Sequence, residues 1–84
     1  MLQIKNRLGL HARPAALMVQ TASRYSSRIE LEVEGTRVNG KSIMGVMMLA
    51  AAYGMKMKVI ANGDDAQESI NAIKALLDGK FDEE

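Results

Sequence analysis

Ile29-Glu30-Leu31-Glu32-Val33-Glu34-Gly35-Thr36-Arg37-Val38 is the stretch whose reading decides the fold. Its first six residues alternate apolar and acidic without a break. A period of two puts Ile29, Leu31 and Val33 on one side of a strand and the three glutamates on the other. A strand divided in this way rests one face on a core and shows the other to water, as antiparallel sheets do. Gly35 turns the chain, and Thr36-Arg37-Val38 reads as the returning arm of a hairpin.

The flanks fill in around that hairpin. Upstream, Met1 to Asn6 reads as a short strand with Leu2 and Ile4 on one face, and Gly9 breaks it. From Ala12 a helical period takes over. Ala12, Ala15, Met18, Val19, Ala22 and Tyr25 fall on one face, with Arg13, Leu17, Gln20 and Arg24 on the other. Pro14 fits only a first turn, where its missing N–H is not needed. The helix therefore starts at about Ala12, with His11 at or near the N-cap. Downstream, Asn39-Gly40-Lys41 leads to Ser42, a good N-cap. The helix behind it, Ile43 to about Ala51, is apolar nearly all round, and Gly54 ends it. Lys56 to Ala61 is a further strand, with Met57, Val59 and Ala61 on one face. Asn62-Gly63-Asp64 turns, and Asp65 with Glu68 has the pattern of a capping box. Ala66, Ile70, Ile73 and Leu77 mark a third helix that Gly79 ends, leaving Lys80 to Glu84 as a frayed acidic tail. The order β-α-β-β-α-β-α predicts an α+β fold in one domain spanning 1–84. Its single sheet carries helices on one face and water on the other.

Composition narrows the function. Eighty-four residues hold one core. The chain has no Cys and one His, which excludes disulfides and argues against a structural zinc site. No apolar run is long enough for a membrane span and the first residues are no signal peptide, so a cytoplasmic location without membrane insertion is expected. Lys and Arg number 11 against 10 Asp and Glu, a net charge of +1. The halves differ. Residues 1–42 carry seven basic against three acidic residues (+4), and residues 43–84 carry four against seven (−3). A basic half suits anions or acidic proteins. With three aromatics, no stacking platform for nucleic acid is visible.

Three segments are candidates for chemistry. In His11-Ala12-Arg13-Pro14, a His at a helix start meets free N–H groups and the positive end of the dipole. That setting keeps imidazole neutral and nucleophilic and attracts an anion. Ala12 and Arg13 supply main-chain donors, and the Arg13 guanidinium can clamp a phosphoryl group. The ordinary alternative is a surface His and Arg beside a helix-start proline. Next, Gly35 to Ser42 matches the G-x-x-x-x-G-K-[ST] phosphate loop. A small nucleotide-binding module is disfavoured because the preceding strand alternates with Glu, Thr36-Arg37-Val38 suits a hairpin arm, and the chain is too short for a doubly wound sheet. Last, Ser42 is a helix cap at which a phosphate is tolerated. The short helix behind it cannot bury every face, so some of Ile43, Met44 and Met47 should reach solvent as an adaptable docking patch.

Gly9-Leu10-His11-Ala12-Arg13-Pro14-Ala15-Ala16 resembles the active-site signature of the HPr family, the histidine-containing phosphocarriers of the bacterial phosphoenolpyruvate-dependent sugar phosphotransferase system. Asn39-Gly40-Lys41-Ser42-Ile43-Met44-Gly45-Val46-Met47 resembles the family's regulatory-serine segment, and the separation of 31 positions from His11 to Ser42 suits it. The resemblance covers essentially the whole chain. It implies an open-faced β-sandwich, a four-stranded antiparallel sheet with three helices on one face. It implies that His11 accepts a phosphoryl group on Nδ1 from phosphorylated enzyme I and passes it to the A component of sugar-specific enzymes II, with Arg13 orienting the group. The protein would then be a carrier and not a stand-alone enzyme; no cofactor or metal is expected, and a monomer is the default expectation. Ser42 would be a target of HPr kinase/phosphorylase, and phosphoserine there would weaken phosphorylation at His11 and recruit a catabolite-control transcription regulator. The docking face would join Arg13, Leu17, Gln20 and Arg24 to Ile43, Met44 and Met47. A regulatory adaptor of the same fold acting mainly through Ser42 is the alternative. The chain departs from the family in a short N-terminus and a Met-rich Tyr53-Gly54-Met55-Lys56-Met57.

Overall fold

The computed structural model describes residues 2–3, 12–49 and 55–79. In order these form β1 (Leu2–Gln3), α1 (Ala12–Ala22), β2 (Arg28–Val33), β3 (Thr36–Asn39), α2 (Ile43–Met48), β4 (Lys56–Asn62) and α3 (Ala66–Asp78). The hairpin that the alternation predicts is β2 and β3, paired antiparallel from Val33↔Thr36 to Glu30↔Asn39. Glu34 and Gly35 alone link the two strands, with φ of 49° and 84°. Positive φ at both loop positions belongs to the turn whose twist matches that of the flanking strands. Gly35 adopts it freely, whereas Glu34 does so at about 1 kcal/mol.

β4 pairs antiparallel with the other side of β2, from Arg28↔Asn62 to Glu32↔Lys58, and β1 pairs with β4. The sheet order is β1-β4-β2-β3. Ile29, Leu31 and Val33 are buried while Glu30 and Glu32 are not, so the period of two divides core from water as expected. On the water side, the Arg37 guanidinium donates from Nε and Nη2 to Glu32 Oε1 at 3.1 and 3.0 Å, and Lys58 stands opposite Glu32. Exposed pairs of this kind contribute about 1 kcal/mol or less; they keep the bare face wet.

All three helices cover the opposite face. Ala15, Met18 and Ala22 of α1, Val46 of α2, and Ile73 and Leu77 of α3 close on Ile29, Leu31, Val33 and Met57. Each large aliphatic side chain in that layer contributes about 1.5–3 kcal/mol by leaving water. The buried stripe of α1 differs from the expected one: Pro14 and Thr21 are buried, and Ala12 is exposed. Pro14 rotates toward the core because a first-turn proline offers an apolar ring and no donor. Tyr25 lies beyond the helix end, half-buried against the core. α2 stops at Met48, with buried Leu49 as its C-cap, and the expected continuation to Ala51 and Gly54 lies outside the described residues. Ile4 to Asn6 and Lys80 to Glu84 lie outside them too.

The capping box expected at Asp65 and Glu68 does not form. Asp65 occupies the N-cap position of α3, yet its side chain makes no capping hydrogen bond. Its carboxylate turns to the segment between α1 and β2. The Ser26 and Ser27 N–H groups donate to Oδ2 and Oδ1, each at 2.9 Å. The Ser26 hydroxyl donates to Oδ2 at 3.4 Å, and the Ser27 hydroxyl donates to Oδ1. The Ser27 hydroxyl, followed by the Ser26 N–H, holds the Asp65 carboxyl down to about 2. Gly63 makes the close approach possible. Its φ is 148°, and a Cβ there would stand 2.8 Å from Ser27 Cα. Gly79 caps the far end of α3 at φ −84°, without the left-handed conformation, its N–H bonded to Ala75 O at 3.0 Å.

Candidate functional site

The start of α1 presents the first candidate residues. Ala12 and Arg13 are exposed, and Pro14 and Ala15 beside them are buried. The first turn is therefore fixed to the core from below while the Arg13 side chain stays in solvent. The N–H groups of a first helical turn have no partner within the helix and carry the positive end of its dipole. His11 directly precedes this turn in sequence and lies outside the described residues.

Ser42 opens α2. Its backbone is extended (φ −114°, ψ 117°), its Oγ accepts from Gly45 N at 3.1 Å, and its carbonyl accepts from Val46 N at 2.9 Å. The serine that reads as a cap from sequence is one. The turn before it is held by Asn39 Oδ1, which accepts from Lys41 N at 2.8 Å. Lys41 Nζ donates to Tyr25 O at 2.7 Å, joining this turn to the segment after α1. The same contacts dispose of the phosphate-loop pattern in Gly35 to Ser42. Thr36–Asn39 is a strand in the ladder, Gly40 N donates to Ile29 O at 2.8 Å, and the lysine serves a carbonyl. A phosphate loop needs those N–H groups and that ammonium turned to a common anion.

The expected docking residues fall into two groups. On α1, Leu17 is half-buried, and Gln20 and Arg24 are exposed. All three line a groove of about 430 Å³ shared with Ala72, Ala75, Leu76 and Gly79 on the α3 side. On α2, Ile43, Met44 and Met47 are exposed. α1 packs against both α2 and α3, and no described residue of α2 lines the groove. Met48, 73% exposed, extends the apolar patch beyond the expected docking residues. Its signal was available, because Met44 and Met48 are four apart and share a helix face. Among the described residues, no helix is long and apolar enough to cross a membrane.

An open antiparallel sheet with helices on one face, a basic helix start after a lone His and a capped serine define a class of small phosphocarrier domains. The chain matches the family described as "PTS HPr component phosphorylation site" over residues 1–78, and it belongs to the HPr family. It is 49% identical over 82 residues to the phosphocarrier protein HPr of Treponema pallidum, covering 98% of this chain and 93% of that protein. It is 46% identical over 75 residues to the HPr-like protein Crh of Bacillus subtilis, covering 89% and 88%. The crystal structure of HPr-C-His from Thermoanaerobacter tengcongensis superposes with a TM-score of 0.94 at 53% identity, covering 99% and 93%.

Proposed function

We propose that this chain accepts a phosphoryl group on Nδ1 of His11 from phosphorylated enzyme I and passes it to the A component of sugar-specific enzymes II. The observation that carries the reading is the family match across residues 1–78, with the motif residues His11, Arg13 and Pro14 inside it. The described geometry supports it. Arg13 is exposed on a first helical turn that Pro14 and Ala15 anchor to the core. A carrier site must hold phosphate loosely enough to give it up. A few main-chain donors and one guanidinium meet that need, and partners supply the remaining charge stabilisation in the encounter. Exposed Arg13 and Arg24 favour approach by acidic surfaces. The apolar residues of α2 form the rest of the docking face, and the protein acts as a cytoplasmic monomer.

Ser42 is the regulatory position in this reading, a target of HPr kinase/phosphorylase where phosphoserine places negative charge beside the docking face and slows acceptance at His11. The similarity to Crh keeps a second reading in view, an adaptor acting mainly through phospho-Ser42 on a catabolite-control transcription regulator. His11 favours the carrier, since an adaptor needs no imidazole. Incubation with phosphoenolpyruvate and enzyme I separates them. The carrier takes up acid-labile phosphate, and His11→Ala takes up none. Label confined to acid-stable phosphoserine after exposure to ATP and the kinase would leave the adaptor.

A further inference from the structure

α2 is six residues long, and three of the six are methionine. Val46 is its buried residue, so the helix turns its remaining apolar side chains outward. Met44 is 75% exposed, Met48 73% and Met47 45%, whereas Met18 and Met57 are 0% exposed in the core. Met44 and Met48 lie one helical turn apart on a common face. The chain has no Cys, so no thiol competes for an oxidant and the thioethers are its softest nucleophiles.

We propose that Met44, Met47 and Met48 are a reversible oxidation site for peroxides, and that their oxidation turns off the docking face. In the step, a lone pair on the thioether sulfur attacks one oxygen of hydrogen peroxide. The S–O bond forms, the O–O bond breaks, and the proton of the transferred hydroxyl passes to the departing oxygen, which leaves as water. Sulfur is oxidised by two electrons and peroxide is reduced by two. The product sulfoxide is polar and a strong acceptor, on a patch that a partner must otherwise dry. Methionine sulfoxide reductases return it to the thioether. The second half of the proposal rests on the carrier reading; the first half does not.

The experiment treats the whole chain with hydrogen peroxide and maps added oxygen by peptide mass spectrometry over time. Met44 and Met48 should convert first, Met47 next, and Met18 and Met57 slower by about tenfold or more, since sulfoxide formation follows exposure. Phosphoryl transfer from enzyme I, measured on the same samples, should fall about fivefold or more at limiting enzyme I and recover after reductase treatment. A Met44→Leu/Met47→Leu/Met48→Leu variant, whatever its starting rate, should lose nothing further on peroxide treatment. Conversion of Met18 or Met57 as fast as Met44 would overturn the site. Full conversion of the three with no change in transfer would overturn the switch. If the untreated chain takes no phosphoryl group at all, the carrier reading falls with the switch, and the oxidation map still decides the modification site.

Discussion

Two residues, Ser42 and Asp65, stand in the same position at the starts of α2 and α3, and they do opposite things. Ser42 turns back and accepts from its own helix, at Gly45 N. Asp65 leaves its own helix uncapped and accepts from Ser26 and Ser27 instead. The difference follows from what surrounds each. Ser42 has a short hydroxyl beside a six-residue helix, within reach of the Gly45 N–H. Asp65 has a charged acceptor facing four donors in the segment between α1 and β2, and two fixed backbone N–H groups outbid one helical turn. The first end leaves an apolar helix displayed to solvent. The second holds the segment after α1 in place, and Lys41 holds the same segment at Tyr25 O.

That contrast can be broken by substitution. The largest loss of stability should come from Asp65→Ala, which strands two N–H groups and the buried Ser27 hydroxyl. Thermal melting should show a deeper fall than for any substitution at Ser42. The pH dependence sharpens the point. The Asp65 carboxyl is lowered from 3.8 to about 2, so between these values the unfolded chain binds more protons. Its contribution is complete above about pH 3.8 and disappears as pH falls through about 2. Asp65→Asn should flatten that acid limb in denaturant titrations at stepped pH. Next, Gly63→Ala should cost about 2 kcal/mol through positive φ and a Cβ pressed on Ser27, with urea midpoints as the measure. Ser42→Ala should cost about 1 kcal/mol, an ordinary cap loss. Smallest, Met44→Ser should move stability by less than about 0.5 kcal/mol, since the side chain is mostly in water; under the proposed carrier function it should also raise the concentration of enzyme I needed for half-maximal transfer. A Ser42→Ala loss larger than that of Asp65→Ala would reverse the comparison.

What the sequence made legible was local. The Ile29 to Glu34 alternation fixed a strand, its faces and its hairpin, because each residue's environment follows from its neighbours. The cap at Ser42 and the first turn at Pro14 are local chemistry as well. Asp65 misled because its real partners lie 38 and 39 residues away, and nothing near it announces them. An all-apolar run such as Ile43 to Leu49 gives no period with which to find a helix boundary. Exposed Ala12 reflects the same weakness: alanine is small enough to satisfy either face. For the candidate site, the His11 and Ser42 motifs were readable as strings. The arrangement of Leu17, Gln20 and Arg24 toward α3 was not, since it depends on how helices cross.

The pairing of Arg28 with Asn62 has a consequence for how the molecule comes into being. The sheet's central partnership joins segments separated by the hairpin arm, α2 and everything between them. Pairing over so long a loop forms more slowly than local contacts do. During synthesis β2 and β3 can zip together early, but the inner edge of β2 must wait, half-satisfied, until β4 has left the ribosome.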